Sequence, residues 1–130
     1  MAIENDLTVT VQQLDSDATV VTRRTVVFED ITPTVGEFRI GVLTDNAQTT
    51  IQLPKSQIRQ LYLKNLDTAA LYTVDWTPTT GAEKAGLLIL GPGESISFWC
   101  TNTGATRGIS SLKLTSNTNQ TQYFEMFAGG

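Results

Sequence analysis

The chain has 130 residues, 13 of them acidic and 9 basic, with no histidine and one cysteine. A net charge of −4 without a basic stripe argues against direct nucleic-acid binding, the missing histidines remove the usual neutral-pH base and the commonest zinc ligand, and the lone Cys100 excludes an intrachain disulfide. No apolar run approaches membrane-spanning length, and the acidic, alternating start "MAIENDLTVT" is unlike a signal peptide, so a soluble protein made in the cytosol, with no membrane partner, is expected.

The length suits one domain, taken as residues 1–130 with residues 1–6 as an N-terminal arm. In chain order, "LTVTVQQL" (7–14) sets Leu7, Val9 and Val11 against Thr8, Thr10 and Gln12, the pattern of a strand with one buried and one wet face. Strand-like runs follow at 19–28 ("TVVTRRTVVF"), 37–43 ("EFRIGVL"), 49–53 ("TTIQL") and 60–65 ("QLYLKN"), each bounded by Asp, Asn, Pro or Gly. The second half adds 71–76 ("LYTVDW"), 86–90 ("GLLIL"), 95–100 ("SISFWC"), 109–116 ("ISSLKLTS") and 122–127 ("QYFEMF"). Strands and turns recurring about every ten residues predict an all-β fold, an antiparallel sandwich or jelly roll of about eight to ten strands. Helical signal is confined to "LPKSQIRQL", good for one turn after Pro54, and the polar "TSNTNQTQ" (115–122) is a hairpin or loop.

No constellation of groups suggests catalysis, so the chain is read as a non-enzyme without metal or cofactor. Cys100 shares a strand face with Ile96 and Phe98 and reads as a small buried hydrophobe. Asp15 and Asp17 in "DSD" make a turn rather than a calcium loop, and Asp75, between Val74 and Trp76, points away from the core. "LGPGES" (90–95) has the glycines of a phosphate cradle, but the alternating strand after it replaces the helix such a loop needs, so it is a tight turn.

The same alternation sorts the aromatic and basic residues. Tyr72, Val74 and Trp76 share one face and belong to the core. Trp99 falls on the serine face opposite Ile96 and Phe98, which makes it an interface candidate. In "QYFEMF", Phe124 and Met126 lie on one side and Tyr123 and Phe127 on the other, so the strand is either central or buried against another subunit. Arg23 and Arg24 put one cation on each face in mid-strand, which suggests an edge, a bulge or an acidic neighbour and a contact role.

The run "IRQLYLKNLDTAALYTVDWTPTTGAEKAGLLILGPGESISFWCTNTGATRGISSLKL" resembles a pattern in small virion proteins of tailed bacteriophages. Its marks are a strand ending in Lys-Asn, a "YTVDW" strand, a strand entering a Pro-Gly-Glu turn, and a closing strand pair. The resemblance implies a capsid decoration or cement protein, commonly a homotrimer, made in the host cytoplasm. Such a protein sits on the outer surface of the virion and bridges major capsid subunits. A tail-associated or carbohydrate- or receptor-binding module, with Trp99 and Tyr62 as stacking platforms, is the alternative.

Overall fold

The computed structural model describes residues 7–28, 36–79, 86–99 and 108–130. Within them the chain forms ten strands and no helix: β1 (Leu7–Leu14), β2 (Val20–Phe28), β3 (Gly36–Leu43), β4 (Thr49–Ile51), β5 (Gln60–Asn65), β6 (Tyr72–Pro78), β7 (Gly86–Leu90), β8 (Ser95–Trp99), β9 (Ile109–Ser116) and β10 (Gln122–Gly129). All ten coincide with the alternating runs of the sequence. The turn expected after Pro54 is not helical; residues 54–57 bend, and Ile58 exchanges two 2.8 Å backbone hydrogen bonds with Ile109.

Two four-stranded antiparallel sheets, in the orders β3-β10-β5-β8 and β4-β9-β6-β7, form a sandwich. Successive strands from β3 to β10 switch sheets at every connection except β6 to β7, which is the connectivity of a jelly roll. The connection at 117–121 is therefore a crossing between sheets, not the hairpin that its composition also allowed, because β9 and β10 belong to different sheets.

Each sheet presents alternate residues inward, as period-two geometry requires. Leu61, Leu63, Phe124, Met126 and Ala128 of one sheet meet Tyr72, Val74, Leu90, Leu112 and Leu114 of the other, all buried. Tyr72, Val74 and Trp76 enter the core as expected, Trp76 at its half-buried margin, and Ile96 and Phe98 pack against it from β8. Burying each large apolar side chain contributes about 1.5–3 kcal/mol, so this shared slab dominates the stability.

Two inward rings lie across glycines of edge strands. Phe124 is paired with Gly41 on β3, Trp76 is paired with Gly86 on β7, and a Cβ on either glycine would overlap the ring. Glycine at these positions lets a ring lie on the neighbouring backbone. β1 and β2 stand apart as a two-stranded antiparallel ribbon that pairs with neither sheet.

Gly41→Val and Gly86→Val should each lower stability by about 1–3 kcal/mol through overpacking. The check is the chemical denaturation midpoint at unchanged slope, and a neutral Gly41→Val would mean that Phe124 does not fix β3.

Candidate functional site

The loops that resembled ligand sites spend their polar groups on themselves. In "LGPGES" the Glu94 amide donates to Gly91 O at 3.1 Å around Pro92 and Gly93, and Gly93 has φ +75°, the geometry of a type II turn. The Gly91 amide donates to the Glu94 carboxylate at 2.7 Å and the Gly93 amide to Asn65 O at 3.0 Å. Proline has no N–H, so no backbone amide of residues 91–94 is left for a phosphate. In "DSD", Asp15 Oδ1 accepts the amides of Asp17 and Thr19, both at 2.9 Å, and Ala18 takes φ +61° to close the turn. Among the described residues no group of acidic or cysteine side chains is placed to hold a metal.

A buried polar hub joins these loops to the core. Asn65 is fully buried; its Nδ2 donates to Ala70 O at 2.8 Å and Leu90 O at 3.2 Å, and its Oδ1 accepts the Asp67 amide at 2.9 Å. Asp67 Oδ2 accepts the amides of Ala70 and Ala69, which hold its carboxyl below the usual carboxylate range. Tyr72 donates its hydroxyl to Tyr123 O at 2.8 Å, and burial, with a smaller contribution from the charge of Asp67, pushes its pKa up to about 12. These groups tie loops to strands, and Asp67 and Asn65 also line an open depression together with Lys64, Thr68, Pro92 and Gly93.

The outer faces of the two sheets differ. The β4-β9-β6-β7 sheet shows Thr73, Asp75, Lys113 and Thr115, with exposed Leu87 and Ile89 on edge strand β7. The β3-β10-β5-β8 sheet is apolar outside along β3 and β10 and polar toward β8. Its register aligns Phe38, Phe127, Tyr62 and Ser97 in one row, Ile40, Glu125, Lys64 and Ser95 in the next, and Val42 with Tyr123 in a third. Phe38 is 62% exposed and Ile40 65%, with Val42 and Tyr123 about half exposed. Phe38 stacks on Tyr62 with centroids 6.5 Å apart and planes 18° from parallel. The Tyr62 hydroxyl donates to Glu125 at 3.2 Å, and its pKa is raised by burial and by that carboxylate.

Strand β3 is inverted with respect to its own polarity. Phe38, Ile40 and Val42 face outward while Glu37, Arg39, Gly41 and Leu43 face the sandwich. Arg39 Nη1 lies 3.6 Å from Glu37 Oε1, Nη2 donates to Gln52 O, and Nε is buried without a partner among the described residues.

The expected contact residues divide between two places. Tyr123 and Phe127 come together on the apolar face, on a central strand. Arg23 and Arg24 lie on the ribbon, on opposite sides as expected; Arg23 donates to Gln12 Oε1 at 3.1 and 2.9 Å, and Arg24 is opposite Val11. A bulge follows Gln13 near this pair, and the neighbour of Arg23 is an amide rather than an acid. Trp99 pairs with Gln60 at the end of β8, on the same sheet, and its side chain, like Cys100, lies outside the described residues. Tyr62 lies beside Phe38, its ring nearly parallel to that ring. Sequence reasoning missed Phe38, Ile40 and Val42, although their alternation with Glu37, Arg39 and Gly41 is plain in "EFRIGVL", because alternation does not say which side is the core.

Asn65→Ala should cost about 2–3 kcal/mol by orphaning buried carbonyls, and Asn65→Asp should cost more because it replaces a donor with a charge facing Ala70 O and Leu90 O. Equal stability losses for the two would contradict the assigned amide orientation. For Tyr72 the folded pKa lies above the unfolded value of about 10, so its contribution is complete below about pH 10 and is lost as pH rises toward 12. Tyr72→Phe should cost about 1 kcal/mol near neutral pH and flatten the alkaline decline measured by denaturation at several pH values.

The chain matches no protein-family model and no curated protein. Among solved structures it is similar to Drosophila melanogaster CENP-C bound to CAL1, with 12% identity, TM-score 0.49, and coverage of 72% of this chain and 60% of that one. It is also similar to the Yersinia pseudotuberculosis-derived mitogen, with 17% identity, TM-score 0.48, and coverage of 75% and 86% respectively. At these values neither similarity bears on what this chain does.

Proposed function

We propose that this protein is a non-enzymatic structural component of a phage particle, a capsid decoration or cement protein that binds the outside of the head and bridges major capsid subunits. The observation that supports it is the apolar outer face of the β3-β10-β5-β8 sheet, where Phe38, Ile40, Val42 and Tyr123 are left to solvent. Exposed apolar surface concentrated on one side of a sheet marks a contact surface rather than a catalytic one. The two turns agree with this, since Asp15 and Glu94 accept amides of their own turns. The particle assignment rests on the sequence resemblance. Within it, many modest face contacts repeated over a lattice sum to a cement through avidity.

Mass spectrometry of purified virions of the encoding phage should find the chain in many copies, and particles stripped of it should burst at lower temperature. Rebinding to stripped heads should fall at least tenfold, about 1.4 kcal/mol, with Ile40→Glu, which places a charge at the centre of the face. Absence from virions would overturn the assignment, and glycan-array binding in its place would favour the carbohydrate-binding alternative.

A further inference from the structure

The depression beside the Asn65 hub has a volume of about 410 Å³ and is walled at one end of the sandwich by the loop after β5, with Leu66, Asp67 and Thr68, and the turn after β7, with Pro92 and Gly93. That volume falls in the range of about 300–1,000 Å³ usual for small-ligand sites. The two walls are fixed to their surroundings before any ligand arrives. The Gly93 amide donates to Asn65 O and the Asn65 amide to Glu94 O, both at 3.0 Å, and the Leu66 amide donates to Tyr123 O at 3.1 Å. A site held in this way loses little freedom on binding. Lys64 and Asp67 bring one cation and one anion to it. The Asp67 carboxyl stays ionised because the Ala70 and Ala69 amides donate to it; both bonds go to Oδ2, so Oδ1 keeps acceptor capacity even beside the Thr68 amide. The Lys64 ammonium and the Thr68 hydroxyl bond to no described residue.

We infer that this depression binds a short neutral glycan, its hydroxyls shared between Lys64, Asp67 and Thr68 and a ring face resting on Pro92 and Leu66. Opposite charges lining one hollow disfavour a ligand of single charge, which loses to one side chain what it gains from the other. A ligand with many hydroxyls gains from both, because each can donate to a carboxylate and accept from an ammonium. The remaining wall offers few polar groups: Pro92 has no N–H, the Gly93 amide is already bonded, and the Leu66 side chain is apolar and 37% exposed. A pyranose matches that division, with hydroxyls around its rim and C–H groups on its faces. An amino-acid zwitterion also suits two opposite charges, but it would bind through ion pairs, which are weak in a hollow that water screens. A sugar exchanges hydrogen bonds and covers apolar surface instead. The inference stands apart from the proposed function, since none of Phe38, Ile40, Val42 and Tyr123 lines the depression, and neither does Tyr62.

Titration of the full chain with maltose, cellobiose, lactose and chitobiose, each to about 50 mM, should move the amide NMR resonances of Leu66, Asp67, Thr68 and Gly93 with at least one of them, at millimolar affinity. Thr68→Ala and Lys64→Met should each weaken that binding about fivefold, the loss of one hydrogen bond. Neither side chain is bonded within the described structure, so both variants should keep the parent's circular dichroism and denaturation midpoint. Glycine betaine at the same concentration should leave the resonances in place. Silence to every disaccharide, shifts indifferent to both substitutions, or shifts with glycine betaine alone would each overturn the inference. A chain abundant in virions but silent to the sugars would overturn it while leaving the proposed function standing. A chain absent from virions whose sugar shifts are lost in Thr68→Ala would do the reverse.

Discussion

Phe124 lying across Gly41 decides how one side of this molecule meets its surroundings. Phe124, Met126 and Ala128 of β10 are committed to the core, so the strands paired to β10 inherit their facing from its register. With Gly41 under the ring, β3 must turn Phe38, Ile40 and Val42 outward and Glu37 and Arg39 inward. A slip of one residue would bury the apolar trio and expose the charges, yet it would also move a side chain into the place of the ring. The ring-on-glycine contact outweighs the polarity of β3, and an apolar outer face is the result.

The inward charges of β3 are tolerated because they lie at the margin of the sandwich. Glu37 and Arg39 are partly exposed, pair at 3.6 Å and reach the Gln52 carbonyl, so neither is an isolated charge in the interior. Elsewhere polar groups are turned to holding the jelly roll at its crossings. Glu94 closes its own turn, Asn65 joins two loops to β5, and the Tyr72 hydroxyl ties the core to β10. Perturbed titration at Tyr72 and Asp67 follows from the bonds and burial that hold the architecture together.

The strands were legible because period-two alternation is local: each of the ten runs marked in the sequence is a strand, and Tyr72 and Val74 lie in the core as expected. The Gly-Pro-Gly turn was legible for the same reason, since Pro92 and Gly93 specify their own backbone angles. Sheet membership was not. "TSNTNQTQ" carries the composition of a hairpin, and only long-range pairing of β9 and β10 with different partners makes it a crossing. Nor does alternation distinguish inside from outside, so β1 suggested a buried face on which Val11 is in fact exposed, and β3 concealed the exposed trio Phe38, Ile40 and Val42. Tyr123 and Phe127 were marked in the sequence because β10 is apolar on both sides, a signal that needs no orientation, and both lie on the outer face.

The inverted β3 also bears on how the proposed contact is made. It is an edge strand, and an edge with unpaired backbone groups invites sheet-to-sheet addition. Inward-pointing charges on an edge strand are among the devices that discourage such addition, because a newly paired strand has to pack over them, and Glu37 and Arg39 are placed to act in this way. The outer face of the same strand carries no such guard: it offers Phe38, Ile40 and Val42 beside Tyr123. In the proposed contact role a partner is thus discouraged at the edge and admitted on the face. Contact of that kind adds side-chain packing without extending the sheet, so assembly can stay closed instead of growing strand upon strand.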